Sequence, residues 1–279
     1  MRFSRKQLGI PYAVFLICFV IAPLLVVLYY AFTNGQGQFT VQNFVNFFTS
    51  ENTIGTLVYS LVTAMTVTAC CTLVAYPVAY ILARSDIKKK NVLLVLFIAP
   101  MWINFTLRVV ALKEVLTMVE GNLAYHPFLN TVLGMTYDFL PFMILPLYTT
   151  LEKLDKSYLE AAADLGASPV ITFMKVTLPL SMPGLISGVT MVFLPSMTNY
   201  VILDMLYNST YIMGSLIGSY FHAYDWNSGS MISIVLLAII FLVTWATNGF
   251  SEEEVQTLSV MAGKVEKNLW AAIKNEEHR

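Results

Sequence analysis

Long apolar runs alternate with short polar stretches along this chain. Six runs stand out, at about 8–32, 54–83, 92–112, 129–151, 183–203 and 231–245. The hydrocarbon core of a bilayer asks for roughly 20 apolar residues in a helix. Runs of this length are too long for barrel strands, so the spans are expected to be helices. The first run follows Arg2, Arg5 and Lys6, and no small-residue cleavage site comes after it. It therefore reads as a span and not as a signal peptide. Pro77 marks a kink in the second run, and Pro141 and Pro146 lie inside the fourth. Past Asn248 and Gly249 the pattern turns charged and amphipathic, as in a soluble tail. The pattern predicts an all-α integral membrane protein with six transmembrane helices. It divides into a first helix and exported loop (1–53), a five-helix core (54–249) and a cytoplasmic tail (250–279).

One polar island between spans has a helical grammar of its own. Asp155 can cap a helix whose body is Glu160-Ala161-Ala162-Ala163-Asp164-Leu165, with Gly166 just past its end. Ser168-Pro169 then reads as the cap and first turn of a second short helix, which Pro179 is expected to stop. The result is a helix–turn–helix outside the bilayer, held by a span on each side. An ordinary loop of good helix formers would carry the same grammar.

Composition agrees with the pattern. Of the 279 residues 57% are hydrophobic and 12% charged, with a mean hydropathy of +0.68. A soluble domain carries roughly 25% charged residues. Cys18, Cys70 and Cys71 lie within apolar runs and read as packing residues, and the three histidines show no ligand spacing. Six spans put both termini on one side. With the termini inside, fourteen of the sixteen Lys and Arg residues are cytoplasmic, leaving Arg108 and Lys113. That asymmetry satisfies the positive-inside rule. Glu51, Glu114, Glu120, Asp138, Asp204 and Asp225 fall outside. Sorting of bases alone would leave such an acidic face, and the face would also concentrate cationic solutes.

The chain has no G-x-x-x-x-G-K-[ST] phosphate loop and no H-E-x-x-H or G-x-S-x-G signature. A pump built from it would draw its energy from another polypeptide. Arg108 either snorkels to headgroups or pairs with Asp138 or Glu114. Trp102 and Tyr200 either pack in the bundle or offer ring faces to an ammonium. Asp138 and Asp204 sit at span ends, where a carboxylate is cheap. Gly184 and Gly188 form a G-x-x-x-G pair suited to close helix packing.

Glu160-Ala161-Ala162, Gly166 four residues after that Ala, and Leu178-Pro179 twelve residues beyond resemble the EAA loop of ABC-importer permeases. Pro100-Met101-Trp102-Ile103-Asn104-Phe105-Thr106-Leu107-Arg108 looks like the P-x-W-x-N-x-x-x-R segment of permeases from spermidine/putrescine (PotB-type) importers. The stretches 137–148 and 193–204 are similar to the fourth and fifth spans of the same group. The chain departs from it at Val109-Val110-Ala111-Leu112 and at Met205-Leu206-Tyr207-Asn208, on the exported side.

The resemblance implies a type I ABC-importer permease fold in the bacterial inner membrane. It implies no catalysis and no cofactor in this chain, with ATP and Mg on a partner ATPase dimer. The other implied partners are a second, PotC-like permease and an extracytoplasmic polyamine-binding protein. Glu160, Ala161, Ala162, Asp164 and Gly166 would form the ATPase contact. Trp102, Asp138, Tyr200 and Asp204 would line the substrate path. Permeases for ferric iron or thiamine share the loop and remain alternatives, as does, more remotely, a secondary transporter.

Overall fold

The structure is a computed structural model that describes residues 5–85, 87–206 and 212–245, with side chains from residue 11 onward. The tail expected at 250–279 lies outside the described residues. Five helices are long and apolar enough to cross a membrane: α1 (Pro11–Ala31), α3 (Glu51–Arg84), α6 (Pro127–Lys153), α8 (Pro169–Thr198) and α11 (Trp226–Trp245). Two further helices, α4 (Lys90–Trp102) and α5 (Phe105–Glu120), meet at 99°, and together they form either one broken span, which makes six, or a re-entrant pair. Shorter helices complete the chain: α2 (Gln42–Thr49), α7 (Ser157–Asp164), α9 (Val201–Leu206) and α10 (Met213–His222).

The expected third span, 92–112, is therefore not one continuous helix. Asn104 leaves helical geometry, and its side-chain oxygen accepts from the N–H groups of Thr106 and Leu107 at 2.9 and 3.4 Å. A good N-cap in mid-run starts a new helix in a new direction. That helix carries Lys113, Glu114 and Glu120, which lie past the expected end of the span at 112.

Pro179 also departs from the expectation. It does not stop a short helix, because the chain stays helical from Pro169 to Thr198. The turn Phe173–Thr177 is a π segment, in which the Leu178 N–H bonds back to the Phe173 carbonyl. A widened turn takes up a proline that a regular α-turn would not tolerate. The expected fifth span, 183–203, consequently begins earlier and ends at Thr198, where Asn199 breaks the helix and α9 starts anew.

The core lies among α3, α6 and α8. Ala64, Val67, Cys71, Ala75 and Ala79 recur on one face of α3 and are fully buried. Lipid offers no hydrophobic drive for helix pairing, so small residues that allow close approach take over that role. Gly184 and Gly188 do the same for α8 on α6. A Cβ at Gly184 would lie 2.5 Å from Thr150 Oγ1 and 2.8 Å from the Pro146 carbonyl. One at Gly188 would lie 2.5 Å from Met143 Sδ.

By contrast, α1 buries 0% of its apolar window within this chain. It is held at its C-terminal end. Asn43 Nδ2 donates to the carbonyls of Ala31 and Thr33 at 3.0 and 2.9 Å, and Asn227 Nδ2 to those of Tyr30 and Thr33 at 3.0 and 2.6 Å. Two amides thus satisfy carbonyls that a helix end leaves open.

Candidate functional site

The loop between α6 and α8 is built around α7. The Asp155 carboxylate accepts the Ser157 N–H at 3.0 Å and opens the helix. Ser157 thereby holds the Asp155 carboxyl below the ordinary carboxylate range. At the other end the Gly166 N–H bonds to the Ala163 carbonyl (2.9 Å) and the Ala167 N–H to that of Ala162 (3.0 Å). Gly166 has φ 74°, so this is a Schellman close with glycine in the left-handed position that turns the chain. Ser168 Oγ then accepts the Ile171 N–H at 3.4 Å, with Pro169 in the first turn of α8. Both caps agree with the sequence pattern.

The faces of α7 are divided. Glu160, Ala161, Asp164 and Gly166 are exposed, while Ala162 is the buried residue of the helix. Beside them stand apolar side chains that sequence reading passed over: Tyr158, Val170, Ile171, Met174 and above all Leu165, at 88% exposure. A signal was available, since Leu165 sits next to the capping glycine in a polar loop.

The base of the loop is pinned by residues also missed. Arg84 Nη1 donates to the Leu154 carbonyl at 3.1 Å, and Lys90 pairs with Glu152 at 3.1 Å. Tyr148 donates to Glu152 at 2.8 Å. In the π segment, Phe173 packs edge-on against Tyr76 and Tyr80 of α3, at 5.5 and 5.8 Å between ring centroids. Motion of α7 can therefore pass through α8 directly to α3.

The second constellation gathers where two spans break. Arg108 Nη1 lies 2.7 Å from Asp138 Oδ1, with side chains only 7% and 4% exposed. The approach is oblique, so it acts as a close ion pair, and Arg108 Nε has no acceptor among the described residues. The guanidinium also stands 5.9 Å from the Phe105 ring centroid, at the start of α5. Of the partners considered for Arg108, Asp138 is thus the one it has.

Around this pair, α9 packs against both α5 and α6. Asn199 Oδ1 accepts the Val201 N–H at 3.2 Å, as Asn104 does for α5. Tyr200 is half-buried against the main core, and Asp204 is exposed in the first turn of α9. Trp102, just before the bend, is 76% exposed. Trp102 and Asp204 thus have open faces, whereas Asp138, expected at a span end, lies well inside α6, where its own chain encloses it and Arg108 compensates the charge.

Residues 75–251 match the family described as binding-protein-dependent transport system inner membrane component. The chain belongs to that family. The matched region of this transport component runs from the last third of α3 through α11 and includes the whole α7 loop.

Relatives extend the likeness beyond that region. The spermidine/putrescine transport system permease protein PotB of Haemophilus influenzae is 34% identical over 281 residues, covering 91% of this chain and 97% of that protein. The PotB permease of Escherichia coli is 34% identical over 219 residues, covering 72% and 80%. Among solved structures, a chain of a bacterial alginate ABC transporter, in complex with its oligosaccharide-bound periplasmic protein, superposes with a TM-score of 0.69. It is 12% identical and covers 89% of this chain and 93% of that one. A chain of the MetNI methionine ABC transporter gives 0.55 at 18% identity, covering 74% and 99%. These two establish the fold, that of ABC-transporter permeases, in an inner-membrane protein that crosses the bilayer several times.

Proposed function

We propose that this permease is the transmembrane subunit of an ATP-driven importer of polyamines such as spermidine and putrescine. The observation that carries the reading is the 34% identity to a PotB permease across nearly the full length of both chains. On this reading an extracytoplasmic binding protein delivers the solute, and a second, PotC-like permease completes the path. A dimeric ATPase, which holds ATP and Mg, supplies the energy. The distribution of Lys and Arg supports an orientation with both termini and the α7 loop in the cytoplasm.

The α7 loop would be the ATPase contact, through Glu160, Ala161, Asp164 and Gly166, with Leu165 as an apolar anchor and Ala162 as the inward support. Four residues with exposed apolar surface around it (Tyr158, Val170, Ile171 and Met174) favour a docked protein over open water. For the path, Trp102, Tyr200 and Asp204 would offer aromatic faces and a carboxylate to a flexible cation. Asp138 would act behind them by holding Arg108.

The test is uptake of radiolabelled spermidine into vesicles carrying the assembled complex, with binding protein, with and without internal ATP. ATP-dependent uptake that falls with Glu160→Ala is the expected result. Binding-protein-stimulated ATP hydrolysis without polyamine uptake would remove the substrate and leave the importer.

A further inference from the structure

The grooves along α1 and α11, lined by residues such as Pro23, Val26, Leu237 and Phe241, are apolar, as a bilayer-facing surface is. One cavity differs from them. It has a volume of about 280 Å³ and lies where α2, the start of α3, the end of α10 and the start of α11 meet. Asn43, Asn46, Ser50, Tyr220, Asp225 and Ser228 give it a mostly polar wall, with Phe47, Met231 and Ile232 as an apolar patch.

Asp225 is the charged member of that wall. After α10 the chain turns at Tyr224, which has φ 61°, and the Asp225 N–H closes the turn on the Tyr220 carbonyl at 3.0 Å. Asp225 Oδ1 accepts the Ser228 N–H at 3.0 Å and so caps α11. Among the described residues its other oxygen has neither a hydrogen bond nor an ion-pair partner. The same holds for the Tyr220 and Ser228 hydroxyls. Asn43 spends its amide nitrogen on the end of α1, which leaves its carbonyl oxygen open.

The open groups are thus one carboxylate oxygen and several neutral oxygens around a small space. An ammonium offers three donors and one positive charge, and it suits that set. A guanidinium prefers both oxygens of a carboxylate, and one here is committed. A calcium ion asks for six or more oxygen ligands, more than this wall arranges around one charge. The apolar patch suits the methylene stem behind an ammonium.

We propose that this cavity binds a primary alkylammonium group. The proposal deepens the polyamine reading and rests on its orientation, which turns this face outward. The group can be the end of a free polyamine or the tip of a lysine on the docked binding protein.

The experiment uses the assembled complex in nanodiscs without ATP. Equilibrium binding of radiolabelled spermidine is measured without binding protein, and affinity for substrate-free binding protein is measured separately. Asp225→Asn keeps the helix cap, because asparagine caps as well as aspartate, but removes the charge. It is expected to weaken one of these two affinities by roughly tenfold or more, as for loss of a charged hydrogen bond. Tyr220→Phe is expected to weaken the same one by less. Glu51→Gln, which removes a neighbouring charge outside the cavity, should change neither. A loss in spermidine binding identifies the free polyamine as the source, and a loss in protein affinity identifies a lysine. Both affinities unchanged in Asp225→Asn would overturn the proposal. Wild-type uptake is followed alongside, so that failure of polyamine transport is read independently of the cavity.

Discussion

At the scale of single residues, the Arg108–Asp138 pair decides the most. Breaking a buried pair by removing one partner leaves a charge that neither water nor protein compensates. Asp138→Asn is therefore expected to destabilise the permease by about 3–5 kcal/mol, whereas the double change Arg108→Met, Asp138→Leu should come close to neutral. Thermal unfolding of the purified protein measures both, and equal losses would show that the charges themselves are not the issue. The glycines give a second graded test. A Cβ at Gly214 would fall 1.9 Å from the Thr198 carbonyl oxygen, which is backbone and cannot swing aside. Gly184 meets a backbone carbonyl at 2.8 Å, and Gly188 meets chiefly the flexible Met143 side chain. Alanine substitutions should then destabilise in the order Gly214, Gly184, Gly188, with Gly188→Ala near the low end of the usual 1–3 kcal/mol for overpacking. The same thermal series checks the order. Sequence spacing pointed to Gly184 and Gly188 as a packing pair. It could not identify Asp138 as the partner of Arg108, because that depends on how two separate spans meet.

At the scale of elements, the α7 loop was readable in advance because its caps are local. Asp155, Gly166 and Ser168-Pro169 act through bonds to residues two to five positions away, so the pattern contains the caps, though not the helix that runs on past Pro179. The broken third span and the π turn were not readable from apolar runs, which report membrane depth but not direction. Asn104 was the sign of the break, as a good N-cap with a clear start of helix after it. The loop's mechanical role can be tested without touching the spans. Gly166→Pro, which cannot adopt φ 74°, or Ala161→Asp on the exposed face should separate ATP hydrolysis from uptake while leaving the spans folded. Uptake at the wild-type ratio to hydrolysis would exclude α7 as the coupling element. The cap has its own pH behaviour. Its carboxyl is depressed in the folded state, so its contribution is complete above the unfolded value, roughly pH 3.9. It is lost as the pH falls through the still lower folded value. Hydrogen exchange across Ser157–Asp164, corrected for intrinsic rates, should show constant protection from this group between pH 8 and 5. Protection should be reduced throughout that range in Asp155→Ala, and much less so in Asp155→Asn.

At the scale of the whole molecule, the fold is a packed bundle of α3, α6 and α8 with less buried elements around it. Five of the six apolar runs returned as helices long enough to cross, since span length is set by the bilayer and is written directly in the sequence, and the sixth returned as the bent pair α4 and α5. The residues proposed for the path were less legible, because exposure within the chain depends on assembly of the bundle. Trp102 and Asp204 have open surfaces, and Asp138 does not. The attachment of α1 has a consequence for biogenesis. One of its two amide clasps, Asn43, is made within a dozen residues, but the other, Asn227, is almost 200 residues later. At ribosomal speeds of about 5–20 residues per second, the second clasp becomes available roughly 10–40 s after the first helix has entered the membrane. During that interval the nascent chain has only the first of the two asparagine clasps on α1, which can pivot in the lipid until synthesis of α11 supplies the second.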